Sequence, residues 1–135
     1  MSRELGAFIS TIRYPRIYAG PDGESHFEDI EASLIPTDFV PGRPVVDLAE
    51  GIPTKEFVFT RLAPGWAGSW HPTPRRQFCV TFSGVFQLTT SDGESRRFGA
   101  GAVFLLDDTT GKGHDTQVLG TGEWCGVLVP VSDSA

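Results

Sequence analysis

The chain contains three histidines, His26, His71 and His114, and two of them stand among other reactive side chains. His71 lies in GWAGSWHPTPRRQFCVTFSG, Gly65 to Gly84, with Arg75, Gln77 and Cys79 close behind it. His114 closes the run Asp-Asp-Thr-Thr-Gly-Lys-Gly-His that begins at Asp107, which gathers two carboxylates, two hydroxyls, an ammonium and an imidazole. Such groups suit proton transfer or metal ligation, because a carboxylate on one imidazole nitrogen fixes the tautomer that the other nitrogen uses in either role. Asp107 and Asp108 both stand within reach of that task, and Asp108 is assigned to it, making His71, His114 and Asp108 the candidate catalytic group. The alternative for the run is a solvated turn in which Gly111 and Gly113 supply positive φ. It is not a phosphate loop, since Gly-Lys-Gly-His lacks the G-x4-G-K-[ST] frame.

Other residues nearby could hold a substrate. A guanidinium grips a carboxylate through two hydrogen bonds, so Arg75, on the Gln77 side of a strand, is a candidate clamp, with a surface ion pair as the alternative. Trp66 and Trp70 offer flat apolar walls before His71, although filling a core would use them equally well. Thr73, Cys79 and Lys112 join Arg75 and Trp70 as the candidate substrate-binding residues. His26, in GPDGESHFEDIE, becomes a further ligand if that segment packs on the mouth of the pocket, and is otherwise a surface histidine.

Residues this far apart in sequence must be brought together by a folded frame. Sixteen Gly and ten Pro punctuate the 135 residues too often for long helices, while ten Phe and a 39% apolar content support a core. Stretches of mixed apolar and β-branched residues between turn signals predict nine strands: Arg13–Tyr18, Phe27–Ser33, Glu56–Leu62, Gln77–Ser83, Val85–Thr90, Ser95–Phe98, Ala102–Leu106, His114–Val118 and Trp124–Val129. So many strands in one small domain imply a closed or nearly closed antiparallel barrel, which leaves few open edges. A single helical turn is expected at Val46–Glu50. In Gln77–Ser83 the period of two puts Gln77, Cys79 and Thr81 on one face and Phe78, Val80 and Phe82 on the other. If the Gln77 face lines a pocket, the Phe78 face needs a second cover, and a homodimer supplies one.

The Gly65–Gly84 segment resembles the first motif of the cupin superfamily, G-x5-H-x-H-x3-E-x6-G. Gly65, His71, Gln77 and Gly84 keep its spacing, with Thr73 replacing the second His and Gln77 replacing the Glu. GAVFLLDDTTGKGH, Gly101 to His114, is similar to the second motif, G-x5-P-x-G-x2-H, with Asp107 at the Pro position and a loop two residues longer. The resemblance implies an all-β fold, the double-stranded β-helix or jelly-roll barrel. Residues 56–131 would form the barrel core and residues 1–55 an extension of N-terminal strands packed on it. It also implies one divalent transition metal, Mn, Fe, Ni or Zn, held by His71, Gln77 and His114, with His26 as the candidate replacement for the missing imidazole. A metal-free pair of pocket histidines stays open. The implied function is that of a metal-dependent enzyme acting on a small organic metabolite by Lewis-acid or acid-base chemistry, of isomerase, cyclase, lyase or oxygenase type. The alternatives are a metal-free acid-base enzyme and a module that only binds a small ligand.

Composition narrows the partners. Seventeen acidic against eleven basic residues give a net charge of −6, and the chain has no Lys/Arg cluster of the kind that grips nucleic acid. The start of the chain, with Glu4 and a short apolar stretch at Phe8 and Ile9, is neither a signal-peptide core nor a membrane span. The expectation is therefore a cytoplasmic protein with two free thiols, Cys79 and Cys125, that binds a small molecule and neither nucleic acid nor membrane.

Overall fold

The computed structural model describes residues 10–132; Phe8, Ile9 and the rest of the first nine residues lie outside it, as do the last three. Ten strands follow one another: β1 (Ser10–Ala19), β2 (Ser25–Thr37), β3 (Val46–Leu48), β4 (Val58–Leu62), β5 (Gln77–Ser83), β6 (Val85–Thr90), β7 (Ser95–Phe98), β8 (Val103–Asp107), β9 (His114–Leu119) and β10 (Trp124–Pro130). The nine expected strands are present, and β5, β6 and β7 begin and end at the expected residues. There is no helix among the described residues, and so none long and apolar enough to cross a membrane. The helical turn expected at Val46–Glu50 is instead strand β3, paired along the end of β2 through Ile35 with Leu48 and Thr37 with Val46. Open backbone groups on the edge of β2 recruit this short extended segment, which outweighs its weak helical signal.

The strands form two sheets. A seven-stranded sheet has the order β3-β2-β1-β8-β5-β10-β4, and a three-stranded sheet has the order β7-β6-β9. The chain crosses from the large to the small sheet between β5 and β6, where Gly84 has φ +88° and approaches the Glu123 carbonyl so closely that a Cβ would stand 2.4 Å from it. No side chain fits there, so the corner requires glycine. The pairing is not wholly antiparallel as expected: β1 runs parallel to β8, with Arg16, Ile17 and Tyr18 beside Leu105, Leu106 and Asp107. A parallel neighbour must arrive by a long connection, and here it comes from the other end of the chain. The N-terminal strands thereby extend the barrel's own large sheet.

The core fills the space between the sheets. Ile17, Cys79, Leu88, Phe98, Phe104, Leu106, Val118 and Trp124 are buried there, and Phe98 stacks on Phe104 at 4.4 Å. Alternation explains the choice of residues on β5: Gln77, Cys79 and Thr81 face inward and are buried, whereas Phe78 and Val80 are half-buried and Phe82 is exposed on the outer side. That outer face also carries Phe59, 75% exposed and 6.4 Å from Phe82. The N-terminal segment braces one end of the sandwich. The Ser25 hydroxyl accepts the Ser91 amide at 2.7 Å and donates to the Gly113 carbonyl at 2.7 Å, next to His114.

Candidate functional site

His71 stands outside the named strands, on a segment that runs along the free edge of β9. The pairing passes through Val118 N to Trp66 O and Gly68 N to Thr116 O, and ends where His71 and His114 exchange both backbone hydrogen bonds, at 3.1 and 3.0 Å. Between the Ala67–Gln117 bridge and the His71–His114 bridge one side advances four residues and the other three. The extra residue makes a β-bulge, and Ser69, the one non-glycine with positive φ (59°) among the described residues, lies within it. Residues directly opposite in an antiparallel pair project to the same side. The bulge therefore brings the two imidazoles together, with ring centroids 5.0 Å apart.

Each ring has its outer nitrogen committed. Nδ1 of His71 donates to the Ser69 carbonyl at 2.8 Å, since a carbonyl can only accept. Nδ1 of His114 pairs with Oδ2 of Asp108 at 2.6 Å, and Asp108 is fully buried. In the neutral rings both Nε2 atoms therefore carry lone pairs, and neither has a hydrogen-bond partner among the described residues. Of the two carboxylates in the run, Asp108 takes the orienting position. Asp107, one residue earlier, points to the opposite face and pairs with Arg16 at 2.9 Å and Arg76 at 3.3 Å.

Both histidines line a cavity of about 140 Å³ between the sheets. Its apolar wall includes Leu62, Phe86, Leu106, Trp124 and Leu128, and its polar lining includes Thr73, Gln77 and Thr116. Gln77 is only 5% exposed. The Thr73 hydroxyl donates to the Arg75 carbonyl and so can only accept from the Gln77 amide nitrogen at 3.4 Å, which orients the amide. Oε1 of Gln77 and Oγ1 of Thr116 are left buried without a partner. Cys79 also lines the cavity; burial pushes its thiol up to about 12, so it serves as wall and not as nucleophile near neutral pH.

The structure thus gathers His71, Thr73, Gln77, Cys79 and His114 around one cavity, with Asp108 directly behind His114. It places the other four candidates elsewhere. Arg75 is exposed and paired with Glu56 at 3.3 Å, outside the cavity wall, because it precedes β5 and does not share the inward face of that strand. Trp70 and Lys112 line a separate surface depression with Ser91, and the Lys112 ammonium is held by Glu24 at 2.6 Å. His26 is clamped between Asp92 at 2.9 Å and Asp22 at 3.3 Å, which raises its pKa, and it does not line the cavity. Trp66 does line it, as do Thr116 and Trp124. Thr116 was within reach of sequence reasoning, being two residues beyond His114 and so on the same face of β9, whereas Trp124 enters through the pairing of β10 with β4 and β5.

Among the described residues no three His, Cys, Asp or Glu side chains come together as a metal cluster. The donors available to an ion are two imidazole nitrogens and the partnerless amide oxygen of Gln77. They fit a divalent transition metal in kind, although all are neutral, so the set would hold it loosely.

No family model and no curated protein matches the sequence. Solved structures of similar shape include the cupin domain of Schizosaccharomyces pombe Cnp3, with TM-score 0.48 and 10% identity over 96% of this chain and 88% of that one. A conserved Streptococcus pyogenes protein of unknown function, SPY1581, gives TM-score 0.44 and 19% identity over 58% of this chain and 65% of that one. Neisseria meningitidis NMB1881 gives TM-score 0.43 and 14% identity over 96% and 94%. Two sheets face each other across the His71 and His114 cavity, an all-β sandwich of the general kind that the jelly-roll expectation requires.

Proposed function

We propose that the protein is an enzyme of small-molecule metabolism in which His114, oriented by Asp108, is the general base for a compound held in the cavity. The observation that carries this reading is the commitment of both Nδ1 atoms, to Asp108 and to Ser69, which leaves the two Nε2 lone pairs free on rings that line one cavity. Nε2 of His114 would take the proton, and the Asp108 carboxylate would stabilise the imidazolium that forms. His71 would hold the reacting group by a second hydrogen bond. The apolar part of the wall lowers the local dielectric and so strengthens each of these interactions. In this reading the enzyme is cytoplasmic and works as a homodimer, the second copy covering the Phe59 and Phe82 face.

A second reading is favoured by the partnerless Gln77 oxygen: His71, His114 and Gln77 would together hold a divalent transition ion, with Asp108 orienting its ligand His114. Such an ion, when bound, supplies Lewis acidity toward a carbonyl or an enolate.

The two readings are separated by elemental analysis of protein purified without chelator, followed by titration with Mn, Fe, Ni and Zn. Less than about a tenth of an equivalent bound, with no uptake on addition, removes the metal reading. The acid-base reading is tested by incubating candidate metabolites in deuterated water and following exchange by NMR. Asp108→Asn should slow exchange by about a hundredfold with the fold intact and His114→Ala should abolish it; an unchanged rate in Asp108→Asn would reject Asp108 as the orienting group, and in His114→Ala would reject His114 as the base.

A further inference from the structure

The proposed active-site cavity has a chemical signature of its own. Among the described residues that line it, none is Asp, Glu, Lys or Arg. Its unused polar atoms are mainly acceptors, Nε2 of His71, Nε2 of His114 and Oε1 of Gln77, while the Thr116 hydroxyl and the second N–H of the Gln77 amide can donate. A carboxylate or phosphate brought here would find only neutral donors and no Lys or Arg in the wall, and the Asp108 carboxylate behind His114 would repel it. An ammonium would find acceptors, but it would lose its hydration without a carboxylate in the wall to compensate. A hydroxyl group meets neither penalty, since it donates to an imidazole nitrogen or the amide oxygen and accepts from Thr116.

Size and walls complete the description. A cavity of about 140 Å³ is close to the volume at which an engineered apolar cavity in another protein takes up benzene, so the part of the occupant held inside has about six to eight non-hydrogen atoms. Phe86 and Trp124, with ring centroids 5.5 Å apart, and the leucines of the wall offer contact only to hydrocarbon.

We infer that the ligand of this cavity is a small uncharged hydroxyl compound, an alcohol or phenol, whose hydroxyl sits among His71, His114, Gln77 and Thr116 and whose hydrocarbon body fills the Phe86 and Trp124 end. The inference rests on the cavity being the ligand site, as proposed above.

Three probes of nearly equal shape test it: benzyl alcohol, benzylammonium and benzoate, titrated into the full-length protein after dialysis against chelator. The readouts are the imidazole NMR signals of His71 and His114 and the tryptophan fluorescence. The expected result is that benzyl alcohol binds about tenfold or more tightly than either ion. Gln77→Leu combined with Thr116→Val should weaken the alcohol by about fivefold or more, with the circular dichroism unchanged. Tighter binding of benzoate or of benzylammonium would overturn the uncharged class while leaving the cavity as the ligand site. If none of the three moves the histidine signals, the ligand class and the cavity reading fall together.

Discussion

Gly113 lies against the backbone of His71 so closely that a Cβ on it would stand 2.1 Å from the His71 carbonyl carbon, and its φ of +75° is one that side chains rarely adopt. The contact holds the loop from β8 to β9 against the bulged edge segment, and so holds the two imidazoles together. Gly113→Ala should cost about 3 kcal/mol in denaturant unfolding and separate the His71 and His114 NMR signals from their native positions. Gly120, with φ +79° and open space around it, is the control: Gly120→Ala should cost about 1 kcal/mol. Equal costs for the two would show that the close approach is unimportant.

No protein group pairs with Oε1 of Gln77 or Oγ1 of Thr116, so the fold should not depend on either. A buried polar atom without a protein partner costs about 1–3 kcal/mol, so Gln77→Leu and Thr116→Val should each raise the unfolding free energy by about 1 kcal/mol, read as a higher denaturation midpoint. A lowered midpoint for both would mean that these groups support the fold rather than await a ligand.

His26 links the turn between β1 and β2 to the turn between β6 and β7 through Asp22 and Asp92, which raise its pKa; the Glu24 amide, then His26, lowers that of Asp22, and the Thr90 hydroxyl and Glu94 amide, then His26, lower that of Asp92. A histidine with a raised folded pKa contributes stability that is complete below its unfolded value, about 6.5, and is lost as pH rises through the folded value. The carboxylate contributions run the other way and disappear only in acid. Native protein should therefore lose unfolding stability, relative to His26→Gln, as pH rises above about 6.5 and through the raised folded value. Parallel curves for the two proteins would exclude the clamp as a source of stability.

Phe59 and Phe82, 75% and 50% exposed, sit side by side on the outer face of the large sheet with Phe57 5.4 Å from Phe59. Apolar patches of this kind on a lone subunit are uncommon, and the proposed second copy would cover them. Sedimentation velocity should give the mass of a dimer, and the double variant Phe59→Glu, Phe82→Glu that of a monomer. A native protein that runs as a monomer at micromolar concentration would refute the dimer.

Several of these features were legible before any fold was known. The period of two placed Gln77, Cys79 and Thr81 on one face, and all three are buried. Motif spacing marked His71 and His114, which meet. Arg75, Trp70 and Lys112 looked equally suited to a pocket, because their chemistry suits one. Their partners, Glu56 for Arg75 and Glu24 for Lys112, were set only by folding.

What the amino-acid sequence determined by itself is local: which residues extend, where glycine permits a corner, and which side chains share a strand face. These follow from backbone sterics and a two-residue repeat that each segment carries within it. The tertiary structure alone decided that β1 lies parallel to β8, that a bulge at Ser69 sets His71 opposite His114, and that Asp107 turns away to Arg16 and Arg76. Each of those outcomes depends on which distant segments become neighbours, a choice made by burial and backbone pairing summed over the whole chain and not written in any single stretch of it.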